Sequence, residues 1–242
     1  MEEEKMGWFG DFCSSIVEGL SGVAHSIGSA IKGLCESLSS EAIAEIGCIA
    51  AAILIPGVGL PELLLVINSI ADIVLTISKM LGINQTGDSA EELGMKVEQA
   101  DKKPEDFDSI EEYITYLNNE ITLDDNKVEN LSDEEKAKYA TMGVGINVLA
   151  IQEKYGDVTV SPEFLMEVSR LKMTGEQVKN YIDSFKESGI QNMQDMTDYL
   201  KGKDTVAEKS SVSDSIINGL EKNYPGLEKE ELEEKLESLR ME

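Results

Sequence analysis

One histidine, three cysteines and 47 carboxylates are the side chains of this 242-residue chain that could make bonds or hold a metal. His25 falls on the charged side of a helical pattern with no nucleophile placed beside it by a recognisable motif, so it reads as an exposed imidazole. Cys13, Cys35 and Cys48 are odd in number. In one straight helix Cys13 and Cys35 stand about 33 Å apart at ~1.5 Å per residue, beyond disulfide reach, and all three read as reduced, buried thiols. The cluster Asp124-Asp125-Asn126 invites a calcium reading, since an EF-hand takes alternate oxygen ligands, a glycine at the sixth position and a glutamate at the twelfth. Counted from Asp124, Val128 and Glu129 at the fifth and sixth positions break that pattern, and Glu135 at the twelfth fits. The segment reads as a solvated linker and helix cap. The sequence has no Cys-x-x-Cys, no phosphate-cradling glycine loop and no histidine-rich metal spacing. Catalytic, cofactor-binding and metal-ligating residues are therefore expected to be none, and the chain reads as non-enzymatic.

Nucleic acid is excluded on charge. The net charge of -26 divides as 10 acidic against 3 basic residues up to position 83 and 37 against 18 beyond it. Such a field repels phosphate backbones and anionic lipid alike. The segment SPEFLMEVSRLKMTGEQVKNYIDSF, residues 161–185, has the outline of a helix-turn-helix, but its second helix mixes Lys179 and Lys186 with Glu176, Asp183 and Glu187. A recognition helix needs unopposed donors, so ordinary helix packing is expected there.

The elements explain more than the reactive groups do. From residue 8 to 38, Phe12, Ile16, Leu20, Val23, Ile27, Ile31, Leu34 and Leu38 recur every three or four residues and fall on one face of a helix. This is the membrane or packing face. A second row of small residues includes Gly19, Gly22 and Gly33. Each glycine inside a helix costs roughly 0.5–1 kcal/mol relative to alanine, and the row has a use if another helix approaches closely along it.

Residues 41–83 read as an apolar helical hairpin, with Pro56, Gly57, Gly59 and Pro61 forming the turn and Pro61 suited to the first turn of the second arm. On that arm Asn68, Ser69, Asp72, Thr76 and Lys79 share one narrow polar stripe, which Glu62 begins. Apart from Ser78 the rest of the arm is apolar. A helix of this kind is either central in a soluble bundle or lines a polar passage in a membrane. The charged residues cut the uncharged runs to 16, 9 and 6 residues, short of the about 20 apolar residues that a conventional span needs. Protonating the acidic obstacles Glu41, Glu45, Glu62 and Asp72 would remove most of that cost, which makes the stripe pH-sensitive.

Beyond Asn84 the composition turns polar and acidic, with Gly87 and Asp88 punctuating a linker. Asn-Gln-Thr at Asn84 matches a glycosylation acceptor, which has meaning only on a secretory route. Helix starts are marked by capping pairs, Ser109 with Glu112, Ser132 with Glu135 and Thr174 with Gln177, and by Pro162 after Ser161. Helices are expected near 89–101, 109–121, 133–155, 162–172, 175–188, 192–201, 208–224 and 228–240. No strand stands out.

The expected fold class is all-α, in three segments: an amphipathic helix and apolar hairpin over 1–83, an acidic linker with a short helix over 84–107, and an acidic domain of short helices over 108–242. In one respect, a central apolar hairpin flanked by amphipathic helices, the architecture looks like that of pore-forming toxins. The expected function is membrane activity by a protein that stays soluble until its hairpin is exposed, as an effector or membrane-penetrating protein would. The alternative is an oligomerising structural or cargo component of a larger assembly, with the N-terminal helices as packing module. The expected partners are a membrane or further copies of the chain through the N-terminal region. The acidic start Met-Glu-Glu-Glu-Lys lacks the positive charge of a Sec signal, so synthesis in the cytoplasm with export or delivery by another route is expected.

Overall fold

The computed structural model describes residues 60–156 and 158–241. Pro56, Gly57 and Gly59, the row from Phe12 to Leu38, the glycines Gly19, Gly22 and Gly33, His25 and the three cysteines lie outside the described residues. Among the described residues the protein is all-helical, without strands. The helices are α1 (Leu60–Met80), α2 (Ala90–Gln99), a 3₁₀ turn (Pro104–Asp106), α3 (Ile110–Glu120), α4 (Asp125–Glu129), α5 (Asp133–Tyr155), α6 (Pro162–Arg170), α7 (Gly175–Glu187), α8 (Gln194–Leu200), α9 (Lys209–Asn223) and α10 (Lys229–Met241). The chain divides into two compact units between Ile151 and Gln152, close to the end of α5.

Helices begin where short polar side chains can satisfy the first free N–H groups. Ser89, Ser109, Ser161 and Thr174 each accept a hydrogen bond from the backbone N–H three residues on. At α2, α5 and α7 the bond is returned, as Glu92 accepts from Ser89 N at 2.8 Å, Glu135 from Ser132 N at 2.9 Å and Gln177 from Thr174 N at 2.9 Å. At α3 the reciprocal partner differs. Glu112 reaches the Asp108 N–H at 3.3 Å. Asp124 caps the short α4, accepting from Asn126 N at 3.0 Å, so this acid is spent on a helix start. Pro61 and Pro162 sit in the first turns of α1 and α6, where the missing N–H costs nothing.

In unit one, α5 is the central element: every residue from Ala140 to Val148 is buried. A helix covered on all sides shows no polar stripe, and the two polar residues of this stretch, Thr141 and Asn147, are hydrogen-bonded to carbonyls one turn back. α5 crosses α2 at backbone contact. A Cβ on Gly94 would lie 2.0 Å from the Tyr139 carbonyl oxygen, and one on Gly143 would lie 2.0 Å from the Ala90 carbonyl oxygen. The two backbones therefore touch reciprocally, with Ala90 and Gly94 on one helix against Tyr139 and Gly143 on the other. At the rim of the crossing Tyr139 OH donates to Glu98 at 2.6 Å, and Lys138 pairs with the same carboxylate.

The stretch 84–107, polar by composition, supplies buried groups to this unit. Asn84 and Lys96 are 4% and 7% exposed. Lys96 Nζ pairs with Asp88 at 2.6 Å, and Thr86 Oγ1 donates to Asn84 Oδ1 at 3.1 Å. Most of the segment's polar residues are exposed or half-buried, and the two that are buried, Asn84 and Lys96, each have a hydrogen-bonding partner within the segment. Burial of Asn84 also withdraws the Asn-Gln-Thr acceptor from modification of the folded unit.

A polar pair ties α1 to α5. Ser78 Oγ donates to Asn147 Oδ1 at 2.6 Å, and Asn147 Nδ2 donates to the Gly143 carbonyl at 2.8 Å. Both side chains are fully buried. Ser78→Ala is expected to destabilise the fold by about 1–3 kcal/mol, because it leaves the amide oxygen buried and unpaired. Urea unfolding checks this, and a double-mutant cycle with Asn147→Leu should return a coupling above about 0.5 kcal/mol. A zero coupling would mean the pair contributes no stability.

Unit two is built on α7 and α9, which pack along their length, with α10 and α8 against α9 and α6 against α8. Gly219 on α9 lets the buried Tyr181 ring of α7 close in, as a Cβ there would meet Tyr181 Cδ1 at 2.3 Å. The segments before α6 and after α7 meet in one parallel bridge, Thr159 with Asn192.

Candidate functional site

The polar stripe of the hairpin's second arm lies on α1, and its placement is the observation nearest to function. Glu62, Leu65, Asn68, Asp72, Thr76 and Lys79 are all exposed and spaced three or four apart, one continuous row on the helix. Leu63, Ile67, Ile70, Ala71, Ile73, Val74, Ile77 and Ser78 are buried on the opposite side, and Leu60, Leu64, Val66, Ser69 and Leu75 between them are half-buried. α1 is an amphipathic helix whose polar stripe meets water.

The charges on the row suit that state. Glu62 stands in the first turn and Lys79 in the last, where they complement the partial charges at the helix ends. Asp72 lies close to the middle of the 21 residues. By length and composition α1 could also cross a bilayer: it runs about 31 Å at ~1.5 Å per residue, close to the hydrocarbon thickness, with a mean hydropathy of 1.9 over its most apolar 18-residue window. The sequence-predicted residues Pro61, Glu62, Asn68, Asp72, Thr76 and Lys79 are thus brought together on one helix. Leu65, 71% exposed, belongs to the same row although its apolar character hides it from a polar-stripe reading.

The helix-turn-helix outline resolves into internal packing. Lys179 Nζ pairs with Asp183 at 2.7 Å, Tyr155 OH donates to the same carboxylate at 2.6 Å, and Lys186 Nζ donates to the Tyr155 carbonyl at 2.7 Å. Both lysines that a groove-reading helix would use are engaged within unit two. Burial and the Asp183 hydrogen bond push the Tyr155 phenol well above its ordinary value, so it is held as a neutral donor. Among the described residues no three His, Cys, Asp or Glu side chains converge on a metal-sized site.

One buried ionic cluster in unit two was invisible in the sequence. Glu167, 3% exposed, takes Arg170 Nη2 at 2.5 Å and Lys201 Nζ at 2.9 Å. Burial raises its pKa, and the hydrogen bonds and charges of Arg170 and Lys201 outweigh that and hold it below the ordinary carboxylate value. A carboxyl held lower in the folded than in the unfolded chain contributes stability above the unfolded value and loses it as pH falls through the folded one. The expected result is that Glu167→Gln lowers stability at neutral pH and flattens its decline below about pH 4.5, the ordinary value for this side chain. Thermal unfolding across that range checks it; parallel curves for both proteins would refute the assignment. Lys201 lies 34 residues from Glu167 in sequence, so only the α6–α8 packing could reveal the pair.

No known protein family, curated protein or solved structure matches this chain.

Proposed function

We propose that the protein is a non-enzymatic, membrane-active helical protein that carries the second arm of its apolar hairpin in water as an amphipathic helix of unit one. The observation that carries this reading is α1 itself: long and apolar enough to cross a bilayer, yet packed along its apolar side with a single polar row outward. A helix of that composition has two environments open to it. Its charges are placed so that the aqueous one costs nothing. The N-terminal amphipathic row from Phe12 to Leu38 would supply the first lipid contact, and the break at Pro56, Gly57, Gly59 and Pro61 would let the hairpin open. Flotation of the intact chain with lipid vesicles tests the reading. The expected result is co-flotation once the hairpin is released, with α1 then protected from protease in the lipid fraction. Failure to float under every condition that leaves the chain folded removes it.

A second reading, self-association through the N-terminal region, is favoured by the α2–α5 crossing. There the chain already uses glycine to bring two helix backbones into contact, and Gly19, Gly22 and Gly33 would serve the same purpose between copies. Sedimentation of the intact protein is then expected to give an oligomer that Gly22→Leu dissociates. A monomer that is stable without detergent would dismiss this second reading.

A further inference from the structure

The last two helices of unit two leave a groove between them with an apolar floor and acidic rims. One wall is α9, which presents Asp214, Ile217, Asn218 and Glu221, and the other is α10, with Leu232, Glu233, Leu236 and Glu237. These positions recur every three or four residues, so each wall is one helix face about two turns long. The space enclosed is about 910 Å³. Ile217 and Leu227 are half-buried at its floor. On α10 the groove-lining Leu232 and Leu236 are already buried, so the apolar surface left open in the groove is that of the half-buried Ile217 and Leu227.

The charge of the groove is one-sided. Asp214, Glu221, Glu228, Glu233 and Glu237 line it, against Lys229. Glu233 is matched by Lys229 at 3.6 Å and Glu237 by Arg240 at 3.0 Å. Asp214, Glu221 and Glu228 form no ion pair among the described residues. At one end the Arg240 guanidinium lies 5.4 Å from the centre of the Tyr199 ring, so an arginine is already the group that this end accepts.

We infer that this groove docks a cationic amphipathic helix of a partner protein. Such a helix sets its apolar side chains on Ile217 and Leu227. Its lysines and arginines meet the carboxylates of both rims at the same three- and four-residue spacing, the arrangement in which helix-in-groove recognition is read. A lipid surface fits less well, because acidic rims repel anionic headgroups and a concave cleft between two helices cannot lie flat on a bilayer. The inference concerns unit two and stands apart from the membrane reading of α1.

The test uses the full chain and, as probe, a leucine-lysine peptide of about 18 residues, about five helical turns, with its leucines on one face. A scrambled peptide of equal composition is the control for charge alone. Calorimetry is expected to give one-to-one binding, weakened at least about tenfold by scrambling and by the triple variant Asp214→Asn, Glu221→Gln, Glu228→Gln. Neutralising Glu129, Asp133 and Glu134, which are exposed and do not line the groove, removes as much charge and should leave the affinity within about twofold, since charges without a groove contact act only through the screened overall field. Absence of binding, equal binding of the scrambled peptide, or equal weakening by this control variant each overturns the inference. Circular dichroism confirms that both variants keep their helix content.

Discussion

Gly143→Ala should be among the most destabilising single-methyl additions available in this protein, with a loss of about 3 kcal/mol and a fall in Tm of about 6–12 °C. Helix propensity predicts the opposite sign, since alanine inside a helix is favoured over glycine by about 1 kcal/mol. The crossing decides which effect wins. The added methyl would stand 2.0 Å from the Ala90 carbonyl oxygen, and the obstacle is backbone, which cannot rotate aside as a side chain can. α2 and α5 would have to separate, with loss of packing along the buried stretch from Ala140 to Val148. Gly94→Ala meets the Tyr139 carbonyl at the same distance and should behave alike. Gly189→Ala is the contrasting substitution: it has open space and a φ of +72°, so its cost is the left-handed backbone alone, about 1–2 kcal/mol. Urea unfolding of the three variants checks the order. A neutral or stabilising Gly143→Ala would show that the helices do not touch there.

Vesicle association is expected to rise steeply between neutral pH and about pH 4 to 5, the ordinary carboxyl range, and Asp72→Asn should move its onset upward by about one pH unit. The bounds of α1 single out this residue. Glu62 and Lys79 lie in its first and last turns, where a long side chain can reach the interface. Asp72 lies near the middle, where insertion scales put a charged aspartate at about +2.5 to +3.5 kcal/mol. On the membrane reading, a charged carboxylate in hydrocarbon would oppose insertion more than a neutral one, so association would strengthen as pH falls. The same fall weakens the repulsion between an acidic chain and anionic lipid. Flotation at several pH values reads the onset. If lipid association is absent throughout that range in both the parent and Asp72→Asn, the membrane reading is dropped and self-association is preferred.

What the sequence by itself determined was local. The starts of α2, α3, α5, α6 and α7 follow from Ser89, Ser109, Ser132, Ser161 and Thr174, because a cap is a bond between a side chain and an N–H three residues away, and no other part of the chain is needed to form it. The stripe from Glu62 to Lys79 was legible for the same reason, being a periodicity within one helix. The brief α4 was missed, since five residues around Asp125 are too few to display a period.

Only the tertiary structure decided what those helices meet. Gly94 and Gly143 look like defects in a helical pattern until each is found against the other helix's backbone. Ser78 interrupts an apolar face until Asn147, 69 residues later, takes its hydrogen bond. Glu167 is one acid among 47 until packing removes it from water between Arg170 and Lys201. The outward direction of the polar stripe belongs with these, because periodicity fixes which residues share a face and not which face is covered. Covering a face depends on contacts between residues far apart in sequence, and those contacts exist only once the helices have packed.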